Sequence, residues 1–198
     1  MKKGKFGLLR IIAGEDRGRR LISPPDDRIR PTPGMAREAI GSMLQEIIPG
    51  CQFLDLYAGT GSVGLEALSR GAGKVTLVEN DRDALALLRQ NVRLMTRASD
   101  CIIAASTAAE QCREFARQKK QFDLVFVDPP YDVPGVPLRH LEGLLAPGGF
   151  LIHQRPEKFP PGDPFRGTSL VQFDQRRYGK ADLTFWKFPD KTEETPLS

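Results

Sequence analysis

Strand-like and helix-like segments alternate through the middle of this 198-residue chain. That alternation predicts an α/β fold, a mostly parallel seven-stranded sheet with helices on both faces. A glycine-rich turn after the first strand of the series, Gly59-Thr60-Gly61 with Gly64 beyond it, is what nucleotide-binding sheets of this type carry. The last part of the chain departs from the alternation. Two strand-like runs joined by a polar turn predict an antiparallel pair at the sheet's end, and a similar pattern predicts a small β-hairpin at the N-terminus.

The hairpin comes first. Leu8 to Ala13 and Arg19 to Ser23 read as short strands, with Gly14-Glu15-Asp16-Arg17-Gly18 supplying the turn. Pro24-Pro25-Asp26-Asp27 breaks regular structure, and Pro31-Thr32-Pro33-Gly34 leads into a helix over Met35 to Ile48. Its apolar residues Ala36, Ala39, Ile40, Met43, Leu44 and Ile47 share one face. Pro49-Gly50 ends it. The series then runs Gln52–Tyr57 strand, Ser62–Arg70 helix, Lys74–Glu79 strand, Asp81–Thr96 helix, Cys101–Ala105 strand, Thr107–Lys119 helix and Phe122–Val127 strand. A short helix over Pro137–Leu145 and a strand over Gly149–Gln154 follow. Ser169–Asp174 and Asp182–Phe188 form the closing pair around a turn at Gln175–Lys180. The domain reading is a basic extension over 1–33, the main domain over 34–188 and a frayed tail over 189–198.

Composition is that of a globular protein, 40% hydrophobic and 27% charged. No apolar run is long enough to span a bilayer. The start lacks the apolar core and cleavage site of a secretion signal. The three cysteines, Cys51, Cys101 and Cys112, form no metal or redox pattern. The expectation is a cytoplasmic protein with reduced thiols, no metal and no membrane partner. It is expected to be a monomer, since no apolar interface is evident. The net charge of +4 is unevenly placed: residues 1–37 hold ten basic and four acidic side chains. Positive charge gathered at one end suits contact with a phosphate backbone. Arg17, Arg19, Arg20, Arg30 and Arg37, with Arg176 and Arg177 as a second cluster, are the candidates.

Two segments carry the chemistry. In Asp55 to Gly64, the glycines permit close backbone approach to a ligand. Asp55 stands at the strand end ahead of them, where a carboxylate suits an amino-bearing or cationic cofactor better than a pyrophosphate. Glu79 ends the next strand, at the spacing of a ribose-binding acid. Together the acids fit an adenosine with an attached amino acid, S-adenosyl-L-methionine. Tyr57, Ala58, Gly59, Thr60, Gly61 and Asn80 complete the expected cofactor set. The second segment is Asp128-Pro129-Pro130-Tyr131, after the buried run Phe122–Val127. Its prolines stiffen the backbone. It presents a carboxylate, a backbone carbonyl and an aromatic ring to a flat, amino-bearing ring.

These residues resemble the class I S-adenosylmethionine-dependent methyltransferases that act on exocyclic or amide nitrogen, which have a Rossmann-like fold. Ile11-Ile12-Ala13-Gly14, Arg17-Gly18-Arg19, Arg30-Pro31-Thr32, Arg37-Glu38, Glu66-Ala67-Leu68-Ser69-Arg70-Gly71-Ala72 and Arg177-Tyr178-Gly179 narrow the resemblance to the RsmD-type bacterial 16S rRNA (guanine-N2)-methyltransferases. The resemblance implies methyl transfer to the 2-amino nitrogen of a guanine in 16S rRNA, within the small ribosomal subunit or an assembly intermediate, releasing S-adenosyl-L-homocysteine. It also implies that Asp55, Gly59, Gly61 and Glu79 hold the cofactor, and that Asp128 and Tyr131 hold the guanine. Ser106 stands where many methyltransferases place an adenine-reading acid. His153-Gln154-Arg155 lacks the glutamate expected after the fifth strand.

On this reading Asp128 and the Pro129 carbonyl accept the two amine hydrogens, Tyr131 stacks on the base, and the base must leave its stack. Asp128→Ala is expected to abolish transfer and spare cofactor binding. Deleting residues 1–23 is expected to destroy substrate affinity and leave cofactor affinity intact. The alternatives are a nitrogen methyltransferase on DNA adenine or protein glutamine, a non-catalytic ribosome-assembly factor that binds RNA, and, least favoured, a nicotinamide oxidoreductase.

Overall fold

The structure is a computed structural model and describes residues 9–23, 32–130, 138–155, 165–179 and 181–190. Its elements in order are α1 (Gly34–Met43), β1 (Gln52–Asp55), α2 (Ser62–Ser69), β2 (Lys74–Glu79), α3 (Arg82–Leu94), β3 (Cys101–Ala105), α4 (Ala108–Arg117), β4 (Phe122–Val127), β5 (Leu145–Arg155), β6 (Val171–Tyr178) and β7 (Ala181–Lys187). A 3-10 helix, Leu138–Leu144, precedes β5. The seven strands form one sheet in the order β3-β2-β1-β4-β5-β7-β6. β1 to β5 pair in parallel. β7 runs antiparallel to both β5 and β6.

Hydrophobic burial divides by face. On one side Leu65 and Leu68 of α2, Leu85, Leu88 and Val92 of α3, and Ala36 and Ile40 of α1 pack against Phe53, Val75, Leu77, Leu124 and Phe126. On the other, Cys112 and Phe115 of α4 and Leu141 and Leu144 of the 3-10 helix cover Leu54, Val78, Val125 and Val127. Strand order reverses between β1 and β4, so their carboxyl ends flank the crevice where such sheets bind ligands. Side-chain caps fix two helix starts. Asp81 accepts the Ala84 N–H at 2.8 Å ahead of α3, and Thr107 with Glu110 forms a capping box ahead of α4.

The N-terminal segment is a hairpin with a single bridge, Arg10 to Arg20, extended by the bonds Ile11 N to Arg19 O (3.0 Å) and Leu21 N to Leu9 O (2.8 Å). It lies on the main domain. Leu9, Ile11 and Leu21 join the core on the α1–α3 face. The carboxylate of Glu66 accepts the Ile12 and Ala13 amides at 2.8 and 3.0 Å, and Ser69 Oγ accepts the Asp16 amide at 3.0 Å. The Glu66-to-Ala72 motif therefore seats the hairpin.

Several boundaries differ from the sequence expectation, four of them with a bearing on the site or the sheet edge. α1 ends at Met43, and the chain reaches Ile48 through turns closed on Ile40 and Leu44. β1 ends at Asp55, where the backbone leaves the ladder for the glycine turn. β5 begins earlier, at Leu145. β6 runs through the expected Gln175–Lys180 turn: Tyr178 pairs with Ala181, so the connection is a tight one beginning at Gly179, φ +60°. β6 is an edge strand with Val171 and Phe173 60% and 47% exposed, an apolar pair the sequence reading did not single out. Among the described residues no helix is long and apolar enough to cross a membrane.

Candidate active site

The register assembles the site. Asp55 lies opposite Leu77 on β2 and Phe126 on β4. Glu79 and Asp128 stand two residues beyond those partners. Because side chains alternate along a strand, all three carboxylates face the α2 side, in the order Glu79, Asp55, Asp128 across neighbouring strands. A cleft of about 30 Å³ opens here, lined by Asp55, Tyr57, Ala58, Thr60, Asp128 and Thr32 among others.

Asp55 is 1% exposed. Its Oδ2 accepts the Gly64 amide at 3.3 Å, and Oδ1 is buried with no hydrogen-bond partner. Burial pushes its carboxyl up to about 7, the Gly64 and Tyr57 amides oppose that shift, and the nearby Asp128 and Glu79 charges add to it. Asp128 is pushed up to about 7 by burial, against the hydrogen bond from Gln154. Gln154 Nε2 donates to Asp128 Oδ2 at 2.8 Å, a contact set by the β4–β5 register that places Val127 beside His153. Gln154 is buried, and its Oε1 has no partner. No reading of a single strand pairs these two residues; the missing glutamate at this position was the only hint.

Glu79 Oε2 accepts the Gly59 amide, and Oε1 accepts those of Asn80 and Asp81, each at 2.8 Å. A carboxylate offers about four acceptor positions, so Glu79 holds the glycine turn and keeps capacity for a ligand hydroxyl. The turn is further tied by Ala58 N to Val78 O at 2.9 Å and Gly61 N to Ala58 O at 2.7 Å. Gly61, at φ +83°, could not carry a side chain: a Cβ would meet Leu88 Cδ1 at 2.6 Å. At Gly64 a Cβ would meet Leu77 Cδ2 at 2.3 Å. No side chain caps the start of α2, and its first residues Ser62 and Val63 line the cleft. Thr60 Oγ1 is buried there without a partner.

Other expected residues fall elsewhere. Asn80 is exposed at the end of β2. Ser106 is half-buried beyond β3, its hydroxyl 3.3 Å from Glu110 Oε2 and outside the cleft lining. Pro129 is half-buried and Pro130 exposed after Asp128. Tyr131 and Arg30 lie outside the described residues.

The arginines separate. Arg17 and Arg20 are exposed on the hairpin with no carboxylate partner among the described residues. Arg19 pairs with buried Asp16 at 2.8 Å and donates to the Leu94 carbonyl and Thr96 Oγ1. Its guanidinium ties the hairpin to the end of α3, so it is not a free phosphate ligand. Arg37, also expected at an RNA surface, is buried. It donates to Arg10 O at 2.9 Å and Thr32 O at 3.3 Å and faces Glu66 Oε2 at 3.4 Å, which makes it a structural cation. On β6, Arg176 pairs with Asp174 at 3.0 Å and Arg177 donates to Gly179 O at 3.3 Å; both are exposed. Among the described residues, no three His, Cys, Asp or Glu side chains gather to hold a metal ion.

Comparison with known proteins agrees with the fold. The profile of a family described as conserved hypothetical protein 95 matches residues 9–187. Ribosomal RNA small subunit methyltransferase D of Escherichia coli K12 is 40% identical over 126 residues, covering 63% of this chain and 61% of that protein. The match thus spans about three fifths of that relative's length. The candidate rRNA methyltransferase YlbH of Bacillus subtilis is 31% identical over 187 residues, covering 90% of this chain and 98% of YlbH. Among solved structures, a candidate methyltransferase from Escherichia coli, yhhF, superposes with a TM-score of 0.76 at 29% identity, covering 93% of this chain and all of that one.

Proposed function

The chain belongs to the family described as conserved hypothetical protein 95, and from that membership and the cleft we propose that it transfers a methyl group from S-adenosyl-L-methionine to the exocyclic 2-amino group of a guanine in 16S rRNA. The observation that carries this reading is the row of Glu79, Asp55 and Asp128 on adjacent strands, ending in a proline-stiffened acceptor loop. Relatives named as small-subunit rRNA methyltransferases support the substrate class. The fold is shared with a candidate methyltransferase solved as a complex with S-adenosylhomocysteine.

The donor set fits the cofactor. Asp55 brings a buried, unpartnered oxygen that suits a cation, and Glu79 has acceptor capacity left for a ribose hydroxyl. Gly61 lets the turn pack against Leu88, where a Cβ would collide, and the open start of α2 suits a carboxylate. When bound, S-adenosyl-L-methionine supplies a methyl group on a positively charged sulfur.

The remaining work is done by the chain. Asp128 accepts one N–H of the guanine amine, and the Pro129 carbonyl accepts the other. This favours a pyramidal nitrogen whose lone pair is available. Gln154 holds Asp128 in place. Acceptors fixed in a water-poor site stabilise the positive charge that grows on nitrogen, and Asp128, with its raised acidity range, can take the released proton. Arg17 and Arg20 on the hairpin and Arg176 and Arg177 on β6 are the candidate phosphate contacts. β6 stands three strands from β4, ~14 Å at ordinary strand spacing.

The test is transfer of labelled methyl to small ribosomal subunits from cells lacking this protein, to free 16S rRNA and to duplex DNA, followed by nucleoside analysis. Label in N2-methylguanosine is the expected result. Label in adenine, in protein, or nowhere overturns the reading.

A further inference from the structure

Asn91, near the end of α3, is 0% exposed and belongs to no motif the sequence singled out. Its side chain makes three hydrogen bonds. Oδ1 accepts the Ile22 amide at 2.7 Å. Nδ2 donates to the Ile22 carbonyl at 3.0 Å and to the Thr60 carbonyl at 2.9 Å. The amide thus pairs with Ile22 as a neighbouring strand would, and its remaining hydrogen reaches into the glycine turn. The orientation is unambiguous, because both acceptors on one side are carbonyls and the donor on the other is an N–H. One turn earlier on α3, Leu88 packs so close to Gly61 that a Cβ there would meet it at 2.6 Å. The inner face of α3 is therefore the floor of the cofactor loop, and the hairpin end at Ile22 fixes the polar part of that floor.

We infer that Asn91 is a positioning residue for the cofactor loop, and that the N-terminal hairpin, through the Ile22 backbone, is part of that loop's support. This rests on the cofactor reading proposed above, and it reverses the expectation that residues 1–23 can be removed without loss of cofactor affinity. Without Ile22, Asn91 Oδ1 is a buried acceptor with no donor, and one rotation of the amide takes the hydrogen away from Thr60. The hydrogen bonds that hold Gly59–Gly61 are then those of Glu79 and the Ala58 carbonyl.

The test uses the full chain and S-adenosylhomocysteine, titrated by calorimetry well below the melting temperature. Ile22→Pro deletes one N–H and keeps the carbonyl. Asn91→Asp keeps the acceptor and removes both donors. Each is expected to weaken binding about ten- to a hundred-fold, with the double variant no worse than the weaker single, because both break one chain of contacts. Glu15→Ala, exposed on the same hairpin but away from Asn91, should bind as the parent does. Amide exchange at Gly59 and Gly61 should quicken in Ile22→Pro ahead of exchange in β1 and β4, which a general loss of stability would not produce. Parent-like affinity in both variants overturns the inference. Loss in Asn91→Asp with none in Ile22→Pro overturns the hairpin's part. Parent protein that takes up no S-adenosylhomocysteine removes the cofactor reading itself and the inference with it.

Discussion

Gln154 donates to Oδ2 of Asp128 at 2.8 Å across the β4–β5 pair, so one carboxylate oxygen is committed to the scaffold and the other is left for a ligand. The bond also lowers the acidity range of a group that burial pushes up to about 7. Gln154→Leu should therefore raise the Asp128 pKa further and move the acid limb of the pH–rate profile to higher pH. Turnover at neutral pH should fall about ten-fold or more with S-adenosylhomocysteine affinity within a few-fold of the parent. A pH–rate series on both proteins checks it.

Asp55 couples stability to function. Its ordinary pKa is 3.8 and the fold raises it to about 7, chiefly by burial. Between those values the folded chain holds a proton the unfolded chain has lost. Its contribution to stability is thus full below about 4, falls as pH rises and is wholly lost above about 7. His153, held down to about 4 chiefly by burial, acts oppositely as pH falls. Asp55→Asn should raise the thermal midpoint of the unliganded protein at pH 8. It should also weaken S-adenosylmethionine binding and flatten its increase between pH 6 and 8. Calorimetry over that range measures both effects.

Gly64 is a packing requirement. A Cβ would sit 2.3 Å from Leu77 Cδ2 and 3.0 Å from Val75 Cγ1, and pushing α2 off β2 would lift the Gly64 amide from Asp55. Gly64→Ala should cost about 1–3 kcal/mol and weaken cofactor binding, read by denaturant titration and calorimetry.

Much of this was legible in the chain. The β2, β3 and β4 limits follow from apolar runs, and the acids Asp55, Glu79 and Asp128 announce themselves at strand ends. Arg37 and Arg19 hold partners the sequence does not display, because charge is visible in a sequence and its partner is not. Glu66 is 54 residues from Ile12, and Asp16 is 80 from Thr96. Gln154 and Asn91 were passed over for the same reason: neutral amides gain meaning only from what the register or a helix face brings to them.

Glu66 is 3% exposed and serves two amides and two arginines, Arg37 at 3.4 Å and Arg70 at 3.0 Å. Glu66→Ala leaves buried charge and unpaired donors together. A loss of about 3–5 kcal/mol is expected, with the hairpin becoming sensitive to protease before the sheet does. Limited proteolysis with mass spectrometry reports the order.

Arg17 and Arg20 should behave unlike Arg19. Replacing the exposed pair by alanine should leave the thermal midpoint unchanged, weaken RNA binding, and reduce the salt slope of log affinity by about one to two. Arg19→Ala should instead lower the midpoint, since it unties Asp16 and the end of α3. Filter binding across a salt series separates the two outcomes.

The seating of the hairpin also sets an order of events during synthesis. Its residues leave the ribosome before their partners at Glu66, Ser69, Asn91 and Thr96, which emerge 53 to 80 residues later. The hairpin must wait, with Leu9, Ile11 and Leu21 uncovered, until α3 is complete. Such long-range closure is slow relative to local pairing. The nascent hairpin is then the segment a chaperone would hold, and the cofactor loop gains its support from residues made before it.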